Sequence, residues 1–239
     1  MNRPAPEENR EQRRAEIVRT ALGLLQEGGM ERLSLRRVAH ALEMHPPGLY
    51  WYIENKQELI DLMAAAILDE VRESNPPVPE VRTWEQWLTD AASALRRGLL
   101  AWRDGARVVA GAYPFRTDAI ARGLERSLEI LEGVGFTRDA ALLAVVTVMR
   151  YTIGIALDEQ ASPPIPPEAV RRRMAGETLG PPIDAARFPR TAEVMGRWVR
   201  EMWGQYDDPG EAHFKRGLAI VIAGIRASPG SPEVRNERH

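Results

Sequence analysis

Ser34-Leu-Arg-Arg-Val-Ala-His-Ala-Leu-Glu-Met-His-Pro-Pro-Gly-Leu-Tyr-Trp-Tyr-Ile-Glu-Asn-Lys56 decides how the rest of the chain is read. Ser34 has an N-cap side chain, and Leu35, Val38, Ala39 and Leu42 lie beyond it at i, i+3, i+4 and i+7. The spacing predicts a short helix with one buried face and with Arg36 and Arg37 outside. Glu43 to Pro46 break it, and Pro47 suits a first helical position, where its missing N–H would be unpaired anyway. A second short helix is predicted from Pro47 to Ile53. Two short helices across a tight turn, the second bearing Tyr50, Trp51 and Tyr52 with Lys56 beyond, are the pattern of a helix-turn-helix that reads DNA.

Helices are predicted on both sides of this stretch. Upstream, Ile17, Val18, Ala21, Leu22, Leu24 and Leu25 fall at helical spacing, and Gly28-Gly29 can end that helix because glycine takes the left-handed conformation freely. Downstream, Asn55 with Glu58 resembles a capping box, and Leu59, Leu62, Met63, Ala66, Ile67 and Val71 give a long fourth helix one buried stripe. Pro76-Pro77-Val78-Pro79 cannot continue it, so a domain boundary is placed there.

Beyond the prolines, Thr83-Trp-Glu-Gln86 is a capping-box pattern opening a helix with the stripe Trp84, Trp87, Leu88, Ala91, Leu95, Leu99 and Trp102. Short helices are predicted over 105–112 and 117–132. The runs 138–160 and 211–227 are apolar on every face, which one protomer has too few helices to cover; burial against a partner's copies in a four-helix bundle is the economical solution. Residues 162–190, with Arg171, Arg172 and Arg173, read as a long Pro-rich loop. The fold class is all-α: an N-terminal three-helix helix-turn-helix domain with its connecting helix over 10–75, joined to a larger helical domain over 80–227. Residues 1–9 and 228–239 are expected to be disordered.

Composition narrows the function. The 239 residues carry a net charge of −2, and up to Lys56 nine basic residues face eight acidic ones. Any attraction to nucleic acid must therefore be local. With no cysteine, disulfides and thiolate metal sites are excluded. The N-terminus is too charged for a secretory signal, and the apolar stretch Ala140 to Met149 is too short to span a bilayer, so a cytoplasmic, membrane-free protein is expected. The four histidines make no His-Glu-x-x-His pattern, and no phosphate loop or nucleophile elbow is present, which argues against an enzyme. A rival reading is a helical interaction module without sequence-specific DNA binding, in which Tyr50 and Trp51 only pack a core.

The chain resembles the tetracycline-repressor family of bacterial transcription regulators. The residues that carry the resemblance are Leu33-Ser34-Leu-Arg-Arg-Val-Ala39, Leu49-Tyr50-Trp51-Tyr52 and Asn55-Lys56-Gln-Glu-Leu59. After the prolines, Trp102-Arg-Asp-Gly-Ala-Arg-Val-Val-Ala-Gly111, Gly135-Phe136 and Tyr151-Thr-Ile-Gly-Ile-Ala-Leu-Asp-Glu-Gln160 are similar to the family's ligand domain. The resemblance implies a homodimeric, ligand-responsive regulator, most simply a repressor, that binds a near-palindromic double-stranded operator. It places Arg36, His45, Pro46, Pro47, Gly48, Tyr50, Trp51, Tyr52 and Lys56 at the DNA, with Leu49 in the core. Glu43 stands where the family usually has a turn glycine, which implies positive φ and some strain, and His45 stands where a Ser or Thr cap is common.

The resemblance also implies a small-molecule effector. Tetracycline repressors hold a magnesium chelate, but the metal-binding His position is Val109 here, and valine cannot coordinate. Positions that contact the drug in the family match Arg72, Ala91, Leu95, Ser127, Arg150 and Asp158. The expected site therefore has apolar walls from Leu95, Trp102, Val109, Tyr113, Leu128, Met149 and Tyr151, with Arg72, Ser127, Arg150 and Asp158 as polar groups. Such a lining suits a hydrophobic effector other than magnesium-tetracycline, and no metal or cofactor is expected.

Overall fold

The computed structural model describes residues 7–74, 83–113, 117–161, 183–195 and 208–232, with 172 and 197 besides. Among the described residues every regular element is a helix. Helix α1 spans Glu7–Arg32 with a non-helical break at Gly29 (φ 69°, ψ 178°), so the expected glycine stop is a kink within a longer element. Helix α2 is Leu35–Ala41, and the Ser34 side chain accepts from the Arg37 N–H as an N-cap. Helix α3, Pro46–Leu49, is shorter than expected: the N–H groups of Tyr52 and Ile53 both return to the Leu49 carbonyl, at 2.9 and 3.0 Å, and the chain turns out of the helix.

Helix α4, Lys56–Ser74, packs against α1 and against α5 (Trp84–Ala101), α6 (Gly105–Gly111) and α7 (Asp118–Gly133). This corrects the single stripe expected for it. Leu59, Ile60, Met63, Ala64 and Ile67 are buried while Leu62 and Ala66 are half-buried, because neighbours surround the helix instead of lining one side. The α5 capping box forms, with Thr83 and Gln86 exchanging hydrogen bonds at 3.3 Å.

One core joins the helix-turn-helix to the helices beyond the prolines. Ile17, Leu25, Val38, Leu49 and Leu59 belong to the same apolar cluster as Leu99, Ala106, Val109 and Ala156. This cluster includes residues from both sides of the boundary expected near Pro76; that segment itself lies outside the described residues. The contacts divide the chain differently: residues up to 160 with those after 220 form one compact unit, and 161–220 form another. Most of the expected 162–190 loop lies outside the described residues, while 189–195 is helical.

Helix α8, Arg138–Ala161, buries Ala140, Ala141, Ala144, Val148, Thr152 and Ala156. It is 24 residues long, so the apolar run extends beyond 140–149, and by length and composition alone it could cross a membrane, a test that the core helix of a globular protein also passes. Its small buried residues recur at three- and four-residue steps, the pattern of a helix lying against others. Leu142 and Leu143 on its other side are exposed, Leu143 at 64%. Helix α9, Pro209–Arg226, also leaves Ile220 exposed.

The tail does not become disordered at 228. Gly230 accepts from the Thr137 N–H at 3.1 Å, and the buried Ser231 hydroxyl donates to the Arg226 carbonyl at 2.7 Å. At the other end, residues 7–9 already belong to α1. Residues 1–6 and 233–239 lie outside the described residues.

Candidate functional site

The residues expected at DNA lie on α2 and α3 and in the turn that follows, with Lys56 opening α4. His45 caps α3 in extended conformation without a side-chain hydrogen bond, and Pro46 and Pro47 fill its first positions. Leu49 is 1% exposed and anchors the helix in the core. Just past the end of α3, Tyr50 is 56% and Trp51 79% exposed, so neither is a core residue. Tyr52 is half-buried and packs against the core. Arg36, His40, His45, Pro46, Pro47 and Lys56 are exposed, and Gly48 is half-buried. A short helix can enter the major groove only if its outward side chains reach base edges while its ends grip phosphate. Here two exposed aromatics stand ahead of the exposed Lys56.

The backbone behind this face is pinned from α1. Arg14 donates to the Tyr52 carbonyl at 2.8 Å and pairs with Glu58 at 2.6 Å, and Arg10 donates to the Trp51 carbonyl at 3.3 Å. Asn55 caps α4 through the Glu58 N–H at 2.9 Å, but the Glu58 carboxylate turns to the Glu54 N–H at 2.5 Å, so the capping box is offset by one residue. The sequence reading missed Arg10 and Arg14. Their only local signal is a charged helix face, which usually means solvated surface.

Charge at the other helices is also tied down. Arg96 is buried and meets Glu159 through two hydrogen bonds of 2.9 and 2.6 Å, joining α5 to α8. Arg122 of α7 holds both oxygens of Asp69 on α4, at 3.1 and 3.0 Å. Among the described residues no group of His, Cys, Asp or Glu has the arrangement to hold a metal ion.

Two family descriptions match this chain: "Bacterial regulatory proteins, tetR family" over residues 17–63 and "Tetracyclin repressor-like, C-terminal domain" over 76–228. The class C tetracycline repressor protein of Escherichia coli is 33% identical over 217 residues, covering 91% of each chain. The chain belongs to the TetR family. Among solved structures, ActR of Streptomyces coelicolor in complex with actinorhodin superposes with a TM-score of 0.73 at 28% identity, covering 91% of this chain and 98% of that one. A TetR variant from Acinetobacter baumannii AYE in complex with minocycline gives 0.64 at 29% identity, covering 89% and 95%. A TetR-family member is a DNA-binding transcriptional regulator of the ligand-responsive repressor type and not an enzyme, which removes the enzymatic alternative.

The residues expected around the effector stand in several environments. Val109 is buried in the core cluster on α6, the helix that packs against α4. Leu95 and Trp102 are half-buried against the same cluster, and the Trp102 indole donates to Glu70 at 3.1 Å. Ser127, Leu128, Met149 and Tyr151 are half-buried, with the Ser127 hydroxyl donating to the Gly123 carbonyl at 2.8 Å. Arg72, Tyr113, Arg150 and Asp158 are exposed, and Arg72 pairs with Asp69 at 3.0 Å. A cavity of about 520 Å³ lies between the end of α1 and the α5–α6 corner. Of the expected site only Trp102 lines it, beside Gly29, Arg103, Asp104, Arg107 and Gln160.

Proposed function

We propose that this TetR-family regulator is a cytoplasmic homodimeric repressor. It binds a near-palindromic operator and is released by a small hydrophobic effector other than magnesium-tetracycline. The observation that carries the DNA half is the exposure of Tyr50 and Trp51 just past the end of α3, whose Leu49 is locked in the core. Trp51, Tyr52 and Pro47 meet thymine methyls or sugars, Tyr50 and Lys56 the phosphate backbone, and Arg36, His45, Pro46 and Gly48 complete the groove-facing set. The exposed apolar sides of α8 and α9 each meet the same helices of a second copy, so that α8 serves as a core and interface helix and not as a membrane span. Two α3 helices then enter successive major grooves on one face of DNA, roughly one helical turn apart.

Valine at 109 and the loss of most family drug contacts support the effector class. The TetR fold accommodates minocycline in one relative and actinorhodin in another, so its ligand body takes chemically different guests. For this chain the guest contacts Arg72, Leu95, Trp102, Val109, Tyr113, Ser127, Leu128, Met149, Arg150, Tyr151 and Asp158, without a metal. Selection of bound duplexes from random DNA, footprinting, and then release by candidate compounds tests the whole reading. A two-fold symmetric footprint released by an apolar compound without magnesium is the expected result. An asymmetric footprint, or no selected duplex, overturns it.

A further inference from the structure

We propose that Gln160, near the end of α8, is a positioning residue for operator binding: it fixes the α5–α6 corner, which in turn holds the end of α1. The helices of the proposed ligand site thereby reach the DNA reader through α1. The inference rests on the DNA-binding reading above.

The corner is a place where backbone groups lose their helical partners. At the end of α5 the Leu99 carbonyl loses its usual donor, since the Arg103 N–H turns to Gln26, and in the first turn of α6 the Ala106 N–H has no carbonyl within its own helix. The Gln160 amide meets both needs. Its Nε2 donates to the Leu99 carbonyl at 3.0 Å and to the Trp102 carbonyl at 2.8 Å, while its Oε1 accepts from the Ala106 N–H at 3.0 Å. Only a side chain with two donors and an acceptor on one planar group does this, and a glutamate there would set its charge against two carbonyl oxygens.

From the corner the connection passes to α1. Asp104 sits in the left-handed region at φ 57°, and its Oδ2 accepts from the Met30 N–H at 2.7 Å. The Arg103 N–H donates to Gln26 at 2.8 Å, the Arg103 guanidinium reaches the Glu27 carbonyl at 3.2 Å, and Arg107 pairs with Glu31 at 2.8 Å. Gly29 permits this approach twice over. Its φ of 69° disfavours a side chain, and a Cβ there would lie 2.7 Å from the Asp104 carboxylate. Leu33, buried, and Ser34, the cap of α2, come within a few residues of it. A shift of the corner therefore moves the segment that starts the helix-turn-helix.

The other end of the route is equally close to the ligand body. Glu159, next to Gln160, holds the buried Arg96 of α5, and Asp158 precedes it at a proposed effector position. A displacement at Asp158 is delivered two residues on, to the amide that closes the corner. Strained Asp104 makes the corner sensitive to such a displacement, because its left-handed backbone persists only while its partners hold it.

The test uses the full chain with Gln160→Met, which keeps length and removes the polar groups, and Gln160→Glu, which keeps the acceptor alone. Hydrogen exchange is read at the Met30 and Ala106 amides and, as control, at Met63 in α4. Exchange at Met30 and Ala106 is expected to rise by about tenfold or more while Met63 stays protected. Affinity for a duplex that the wild-type chain has selected from random DNA is expected to fall by about 3- to 30-fold, the range for residues that couple distant sites. Combining Gln160→Met with Asp104→Ala, which removes the acceptor for the Met30 N–H, is expected to cost no more than the worse single change, since both cut one connection. Unchanged exchange at Met30 in both Gln160 variants, or losses that multiply in the double variant, overturn the inference while leaving the DNA reading intact. Failure of the wild-type chain to select any duplex sinks that reading and the operator role of Gln160 with it.

Discussion

At the scale of single residues, Glu43 and Trp51 separate folding from function. Glu43 has a φ of 53° in the turn between α2 and α3, where the family resemblance leads one to expect glycine. Left-handed backbone costs a side-chain-bearing residue roughly 1–2 kcal/mol, and glycine returns roughly 0.5–1 kcal/mol of that through its freer unfolded state. Glu43→Gly is therefore expected to raise the urea midpoint by an amount equivalent to about 0.5–1 kcal/mol with an unchanged slope, while Glu43→Ala, still strained, gains nothing comparable. Trp51 presents the opposite case. At 79% exposure it contributes little packing, so Trp51→Ala is expected to change stability by no more than about 0.5 kcal/mol and yet to weaken operator binding. Thermal melting and a DNA titration on the same preparation decide this. A large stability loss with intact DNA affinity would return the indole to a packing role. Both residues were legible in the sequence because the feature that matters is local: a turn that needs positive φ, and an aromatic just after a buried leucine.

Between elements, what the sequence reveals depends on how far apart the partners are. The caps at Ser34 and Thr83 involve residues within a few positions of one another, and those helix starts were readable; at Gly29 the local signal was right about the left-handed backbone and wrong about the helix end. The short α3 was not readable, since whether it continues past Leu49 depends on which N–H groups that carbonyl accepts. Nor was the burial of α4, or the roles of Arg14 and Gln160, whose partners lie 44 and about 60 residues away. Periodicity reports one face of one helix and is blind to such meetings. Glu85 and Arg226 are a further example, joining the first turn of α5 to the last turn of α9 at 2.7 Å. Burial alone pushes the Glu85 carboxyl upward, but the hydrogen bond from Arg226, helped by hydrogen bonds from its own backbone N–H and from Thr83 and by the Arg226 charge, carries it below its ordinary value of 4.5. Because the folded-state value is the lower one, the contribution of this link is complete above the unfolded value and disappears as pH falls through the folded value. The stability difference between the wild-type chain and Glu85→Gln in urea is thus expected to be constant from neutral pH down to the ordinary carboxylate range and to shrink below it. A difference that grew on acidification would contradict the assignment.

At the scale of the whole molecule, the candidate ligand site was the least legible part, because it depends on how several helices close around a space. Its expected members lie on different helices, with Val109 in the core and Tyr113 and Arg150 exposed. The apolar surface of α8 is a clearer guide to assembly. Ala141, Ala144, Val148, Thr152 and Ala156 face inward, and Leu142 and Leu143 are left in contact with water. Exposing large aliphatic groups beside each other is unfavourable for a monomer, by about 25 cal/mol for each Å² of apolar surface that a partner could cover. Placing a charge at that surface removes the gain and adds the cost of burying an unpaired carboxylate in the dimer, without touching the inward stripe. Leu143→Glu is accordingly expected to keep its helical circular dichroism but to sediment as a monomer at concentrations where the wild-type chain is expected to sediment as the proposed dimer. The consequence for DNA is larger than the change itself, because no contact of the reader is altered. Two readers on one dimer engage the second half-site as an intramolecular event, and losing that linkage is expected to weaken operator binding by about 100-fold or more, while binding to an isolated half-site stays the same. Dimeric Leu143→Glu with full operator affinity would show that this face of α8 is not where the two copies meet.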